Sequence, residues 1–213
     1  MKTAFVTGHM GFIGRHLTTA LMDRGYLVSG CDLKDGTDIR NYTFMPADVC
    51  FHLAAESNAL STEAYLDATH NIMGTLRVLE HYREKVVFAS SAAIHQPVTP
   101  YAIAKLACEH YCRLYGAQIV RTCNVTGPGG HGVFEAFAKA DTLQIRGKGD
   151  QKRAYAPVSR AVELFLYAAE NPIHPVFPLE GVELSVLEIA DLFYPLNPRK
   201  FVEQVATDLP VIR

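Results

Sequence analysis

Ser91, Tyr101 and Lys105 are the residues of this sequence best suited to chemistry. Tyr101 and Lys105 are four positions apart, so on a helix their side chains share a face. A free tyrosine has a pKa near 10 and is a poor base at neutral pH. A neighbouring ammonium favours the phenolate. Bringing the pKa to about 7 takes roughly 4 kcal/mol, which one close Lys and a second cationic group can supply together. Such a phenolate can take the proton of a hydroxyl while a hydride leaves the carbon that bears it. Ser91, at the end of the apolar run Val86 to Ser90, can orient that hydroxyl. A Tyr-x-x-x-Lys pair alone is common on ordinary helix surfaces, so its context decides.

The context is set by Thr7-Gly8-His9-Met10-Gly11-Phe12-Ile13-Gly14, which follows a strand at Thr3 to Thr7 and opens a helix at Ile13 to Arg24. In such a turn the first Gly permits the bend and the second lets backbone approach a pyrophosphate. The third lets helix and strand pack closely, and the helix N-terminus faces the anion. Asp32 ends the next strand, Leu27 to Asp32. A carboxylate there accepts from the adenosine ribose hydroxyls and repels a 2′-phosphate, favouring NAD over NADP. A surface Asp in a turn is the competing reading, and Lys34 leaves some room for NADP.

These residues need a scaffold, and the chain supplies an alternating one. Further strands are expected at Val49 to Ala54, Val86 to Ser90 and Gln118 to Val125, with helices at Thr62 to Arg83 and Tyr101 to Tyr115. The alternation predicts an α/β fold, a Rossmann-like doubly wound parallel sheet with helices on both faces. After Asn124 the pattern changes. A Gly127-Pro128-Gly129-Gly130 loop leads to a helix at Val133 to Ala140 and short strands near Leu143 to Ile145 and Tyr155 to Val158. A helix at Arg160 to Glu170, a Pro-rich stretch from Asn171 to Pro178 and a helix near Val186 to Phe193 follow. We divide the chain into a cofactor domain at 1–125 and a small C-terminal substrate lobe at 126–213, with some segments returning to the sheet.

Bulk properties narrow the partners. A formal charge of −2 over 213 residues gives no basic field for nucleic acid. No apolar run reaches membrane-spanning length. Five scattered cysteines and a strand beginning at the N-terminus, with no leader, fit a cytoplasmic protein. Cys108 and Cys112 lie one helical turn apart without further ligands at metal spacing, so packing rather than a metal site is expected.

Taken together these motifs resemble the extended short-chain dehydrogenase/reductases, in particular the NAD-dependent nucleotide-sugar epimerase/dehydratase family. The resemblance rests on Thr7 to Gly14, Asp38-Ile39, His52-Leu53-Ala54-Ala55, Asn71-Ile72-Met73-Gly74-Thr75, Ser90-Ser91-Ala92, Pro100-Tyr101 through Lys105, and Arg121 to Pro128. It implies that Gly8, Met10, Gly11, Phe12, Ile13 and Gly14 cradle the pyrophosphate. It places Asp32, Asp38 and Ile39 at the adenosine, and Leu53, Ala54, Ala55 and Asn71 along the cofactor. By the same resemblance Tyr101 is the general acid/base, Lys105 binds the nicotinamide ribose and lowers the Tyr pKa, and Ser91 holds the reacting oxygen. Asn124 and Arg153 would contact the nucleotide-sugar substrate, although a solvated surface Arg is an equal reading of Arg153. A guanidinium fork matches phosphate oxygens. Relatives pair through the long helix and the Tyr101 helix. Here Leu66, Ile72, Leu76 and Leu79, and Leu106, Tyr111 and Leu114, supply apolar positions for a homodimer.

The sequence departs from that pattern in four places. Asp32 and Asp38 are six apart where relatives carry a helix and a strand, so the sheet should be shortened at the adenine edge. Ser91 and Tyr101 are ten apart, with Ile94-His95-Gln96 replacing a longer connection. His95 is then a surface loop residue or a replacement substrate contact. Ala154 and Pro157 stand where relatives have Asp and His, and the lobe is short. Ala92-Ala93 follow Ser91 where dehydratases carry an acidic pair, which disfavours water elimination. The leading expectation is an NAD-dependent epimerase that transiently oxidises a nucleotide sugar. The alternatives are an NAD(P)-dependent dehydrogenase/reductase on another sugar or small carbonyl compound, and a non-catalytic NAD-binding redox sensor.

Overall fold

The structure, a computed structural model, describes residues 1–58, 62–145, 147–172, 175–193 and 199–201. In chain order the elements are β1 (Thr3–Thr7), α1 (Phe12–Asp23), β2 (Leu27–Cys31), β3 (Val49–His52), α2 (Ala64–Asp67), α3 (Gly74–Tyr82), β4 (Val86–Ser91), α4 (Pro100–Tyr115) and β5 (Gln118–Thr122). They continue with β6 (Asn124–Thr126), α5 (Val133–Lys139), β7 (Leu143–Ile145), β8 (Lys152–Pro157), α6 (Val158–Glu170), β9 (Val176–Pro178), β10 (Val182–Ser185), α7 (Val186–Phe193) and β11 (Arg199–Phe201).

Two compact units share these elements. The first comprises Met1–Thr122 and Ser159–Leu179, and the second Cys123–Val158 and Glu180–Arg213. The first is built on a six-stranded parallel sheet in the order β2-β1-β3-β4-β5-β9. The order reverses beside β1, where dinucleotides bind in sheets of this kind. Strands buried on both faces read as apolar runs: Phe5, Phe51, Phe88 and Ile119 are almost fully enclosed. In the second unit β8 pairs antiparallel with β10 and parallel with β6, while β7 and β11 form a separate parallel pair.

The expected truncation is present. No strand lies between β2 and β3, so β2 is the rim of the sheet. The connecting segment is a single 3-10 turn at Leu33–Asp35 followed by irregular chain. Aromatic packing secures it: the Tyr42 and Phe44 rings lie 5.6 and 5.8 Å from Phe5, whose other neighbour is Tyr82 at 5.6 Å. Three side chains, two on α3 and one just after it, donate to the backbone of this segment. The Tyr82 hydroxyl reaches the Met45 carbonyl at 2.6 Å, Arg77 Nη2 that of Tyr42 at 3.1 Å, and Lys85 Nζ that of Ala47 at 3.2 Å. Tyr82→Phe removes one of these bonds and keeps the ring. It should cost about 1 kcal/mol, read as a lower urea midpoint with an unchanged slope.

Three elements differ from the expectation. The helix read as Thr62 to Arg83 is interrupted by a π-helical stretch, Ala68–Met73, between α2 and α3. The strand read as Gln118 to Val125 breaks at Cys123, and Asn124–Thr126 pairs with β8 instead. The Pro-rich stretch contains β9, the sixth strand, tolerated because prolines suit a sheet edge.

Candidate active site

The glycine turn is shaped by close backbone contacts. Gly8 has φ of +71°, and a Cβ there would lie 2.7 Å from the Ala54 nitrogen. A Cβ at Gly14 would overlap the Gly8 carbonyl oxygen. Gly11 caps α1 without a side chain, and the first turn carries no acidic residue. This is a concave backbone cradle at a helix N-terminus, and it fits a dinucleotide pyrophosphate.

Asp32 is buried and ties the turn to the end of β2. Its Oδ2 accepts from the Met10 amide at 2.9 Å and its Oδ1 from the Lys34 amide at 2.9 Å. Lys34 Nζ donates to the Met10 carbonyl at 3.2 Å. Asp38 is gripped by its neighbour: Arg40 Nε lies 3.0 Å from both carboxylate oxygens, and this pairing holds the Asp38 carboxyl below its usual range. Ile39 packs on Gly74, where a Cβ would come 2.5 Å from Ile39 Cδ1. The glycine in Asn71 to Thr75 thus makes room for the segment carrying Asp38 and Ile39.

Leu53, Ala54 and Ala55 follow β3 directly, and the first two face Gly8. The Leu53 amide donates to the Thr7 carbonyl at 3.2 Å, and the Ala54 amide to Thr7 Oγ1 at 3.1 Å. Asn71, buried in the π-helical stretch, braces the chain just beyond. Its Oδ1 accepts from the Glu56 amide at 2.8 Å, and its Nδ2 donates to the Glu56 carbonyl at 3.1 Å and to Asp67 at 3.0 Å. A π-helical turn widens the helix locally and marks functional segments.

The catalytic candidates sit on β4 and α4. Ser91 ends β4 and caps the 3-10 turn Ala92–His95, its Oγ accepting from the Ala93 amide at 3.2 Å. That bond uses a lone pair and leaves the hydroxyl hydrogen for another acceptor. His95 is exposed at the end of this turn. Thr99 caps α4, accepting from the Ala102 amide at 3.3 Å, and Pro100 takes the first helical position. Tyr101 is therefore held in the first turn. Lys105 follows on the same face, 3% exposed, its Nζ donating to the Ala89 carbonyl at 2.7 Å. The ammonium lies 5.9 Å from the Tyr101 ring centroid and 4.7 Å from that of Phe88.

Two buried networks were not anticipated. Glu109, with no exposed surface, accepts from Ser90 Oγ at 2.7 Å, from Arg121 through a two-point fork at 2.8 Å and 2.8 Å, and from Arg113 at 2.8 Å. Burial opposes its charge, but the Arg121 fork, the Ser90 hydroxyl and Arg113 outweigh burial and hold its carboxyl below the usual range. Its spacing of four from Lys105 was the available signal, since it extends the Tyr101–Lys105 face by one turn. His52 is the second. Its ring bridges Thr7 Oγ1 at 2.7 Å and Thr75 Oγ1 at 2.9 Å, and burial, aided by the Lys105 charge, pushes its pKa down to about 3.

That depression makes stability depend on pH. The unfolded chain protonates His52 near pH 6.5, whereas the fold resists protonation down to about pH 3. Stability is therefore fully present above about pH 6.5 and falls as the pH drops towards 3. At pH 5 the loss from this residue should be about 2 kcal/mol. Urea midpoints at pH 7.5 and 5, compared with those of His52→Asn, will show it: the variant should lose less on acidification.

Asn124 and Arg153 belong to the second unit, on neighbouring strands. Asn124 pairs with Tyr155, and its Nδ2 donates to the Ala154 carbonyl at 3.0 Å. Arg153 is exposed on β8. The same unit holds a cavity of about 350 Å³ lined by the Gly127–Gly130 loop, Phe134, Ala138 and Phe193. Glu135 fixes that loop, accepting from Thr126 Oγ1 at 2.7 Å and the Gly127 and Gly132 amides at 2.8 and 2.9 Å. Among the described residues there is no cluster of metal-ligating side chains and no helix long and apolar enough to cross a membrane.

Known proteins are similar to this chain in sequence and fold. The chain is 29% identical to the UDP-glucose 4-epimerase of Mycolicibacterium smegmatis over 79% of its own length and 73% of that protein. It is 29% identical to the UDP-N-acetyl-alpha-D-glucosaminuronate decarboxylase of Bacillus cytotoxicus, over 92% of this chain and 80% of that one. The structure of UDP-glucuronic acid 4-epimerase from Bacillus cereus in complex with NAD superposes with a TM-score of 0.82 at 25% identity, covering 94% of this chain and 87% of the other. The family model described as the NAD dependent epimerase/dehydratase family matches residues 4–176, a span that takes in the glycine turn, the Ser91–Tyr101–Lys105 group and the parallel sheet from β1 to β5, short of Thr3, and the chain belongs to that family.

Proposed function

We propose that the protein is an epimerase of nucleotide sugars that holds NAD on the glycine turn, with Asp32 selecting NAD over NADP. The reading rests on one observation above all: Ser91 and Tyr101 stand at the end of β4 and the start of α4, with Lys105 directly behind Tyr101. Bound NAD would take a hydride from a carbinol carbon of the sugar and return it. Ser91 donates its hydroxyl hydrogen to the sugar oxygen. Tyr101, as phenolate, takes that oxygen's proton as the ketone forms, and gives it back after the sugar has presented its other face. The Lys105 ammonium stabilises the phenolate between these steps. Neither Ala92 nor Ala93 can serve as an elimination acid or base, which sets this site apart from a dehydratase. Asn124 and Arg153 are proposed to bind the substrate diphosphate.

Mass spectrometry of the purified protein, followed by incubation with UDP-glucose and separation of the UDP-hexoses, tests this reading. Retained NAD and formation of a second UDP-hexose without added cofactor support it. A requirement for added NAD with accumulating NADH points to a dehydrogenase instead, a reading favoured by the small second unit. Bound NAD with no turnover of any sugar nucleotide points to a binding module.

We further propose a cytoplasmic homodimer paired through the long helical segment 64–82, which runs from α2 through the π-helical stretch to α3, and through α4. Tyr65, Met73, Ile103 and Leu114 are exposed there at 83, 55, 54 and 79%, although Leu79 turns into the core. A single monomeric species in sedimentation at high concentration would exclude it.

A further inference from the structure

We propose that His52 is the positioning residue of the dinucleotide turn: acting through the Thr7 hydroxyl, it fixes the spacing between Gly8 and the strand end at 53–55. The proposal rests on the cofactor reading above and concerns how this chain holds the turn in shape.

The hydrogen-bond directions follow from the donors. The Ala54 amide has only a hydrogen to give, and it gives it to Thr7 Oγ1 at 3.1 Å. The hydroxyl hydrogen of Thr7 is then left for His52 Nδ1 at 2.7 Å. An accepting Nδ1 requires the neutral ring to carry its hydrogen on Nε2, which donates to Thr75 Oγ1 at 2.9 Å. Thr7, His52 and Thr75 are all buried, so no water competes for these groups. The far end is anchored in the helical layer, where Cys108 Sγ of α4 lies 3.4 Å from the same Thr75 hydroxyl. Lys105 is the charged group acting on the ring; the ring itself stays neutral and keeps this polarity.

The near end matters because it lies where the turn has least tolerance. Gly8 approaches Ala54 so closely that a Cβ could not be accommodated. The Thr7 hydroxyl spans the same gap one residue earlier. If Nδ1 no longer accepts, the hydroxyl hydrogen seeks another partner and the lone pair facing Ala54 is no longer held in place. The turn and the 53–55 strand end then separate, and the cradle for the pyrophosphate widens.

The two ring nitrogens can be separated by substitution. His52→Asn places an amide oxygen near the Nδ1 position and keeps the acceptor for Thr7. His52→Gln places an amide nitrogen near the Nε2 position and keeps the donor to Thr75 while losing the Thr7 side. NAD affinity measured by calorimetry should stay within about threefold for His52→Asn and weaken about tenfold or more for His52→Gln, with similar melting temperatures for the two. Should His52→Gln not fold, the hydroxyls give the same contrast. Thr7→Val should weaken NAD about tenfold, Thr7→Ser should restore it, and Thr75→Val should leave it within about threefold while lowering the melting temperature. Equal weakening by all variants in step with lost stability, or no weakening by any, overturns the proposal. Failure of the unaltered protein to bind NAD overturns the cofactor reading itself.

Discussion

Tyr101→Phe is expected to lower turnover of a nucleotide sugar by about a thousandfold, within the range that general acid–base groups supply. The substitution removes one oxygen and keeps the ring beside Lys105. The helix cap at Thr99 and the bond from Lys105 to Ala89 do not involve that oxygen. NAD affinity should therefore change little and melting temperature hardly at all. The loss should fall on kcat rather than KM, because the proton moves only in the transition state. Undiminished turnover with bound NAD would remove Tyr101 from the mechanism.

A second large effect is expected away from the reacting atoms. Glu109→Ala should destabilise the fold by about 3 kcal/mol, since it leaves the partly buried Arg121 guanidinium and the buried Ser90 hydroxyl without their carboxylate partner. The carboxylate joins α4 to β4 and β5 at one point, so its removal loosens the helix that carries Tyr101 and Lys105 from the strand that carries Ser91. Arg113→Ala is the contrast. It removes a partner whose side chain is 38% exposed, and such pairs contribute about 1 kcal/mol or less. Urea unfolding of the two variants compares them directly. Equal midpoints would show that the buried fork adds nothing.

Much of this was legible in the sequence because the motifs are local. Gly8, Gly11 and Gly14 announce a tight turn, in which Gly8 and Gly14 have no room for a side chain, and the six-residue step from Asp32 to Asp38 announces a missing edge unit. The pairs that brace the site are not local. Glu109 and Arg121 meet across a helix and a strand, and His52 bridges residues from β1 and α3, so neither pairing leaves a spacing to be read; only the step of four from Lys105 to Glu109 is local. Periodicity fails for a different reason at Ala68–Met73. A π-helical turn shifts the register by one residue, and the apolar pattern absorbs that shift without a visible break. At β9 the prolines were read as punctuation, but a parallel strand at a sheet margin can carry them.

The short connection from β2 to β3 also makes the protein open to insertion. Gly36 adopts φ of +84° with nothing near its Cβ position, on an exposed turn beyond the Asp32 contacts to the glycine loop. Beside it runs the rim strand β2, which among the described residues pairs on one side only, with β1. A strand–helix module spliced in at this turn could zip onto that rim without displacing Asp32. The architecture is thus a minimal chassis, with its rim remote in sequence from the Ser91, Tyr101 and Lys105 positions.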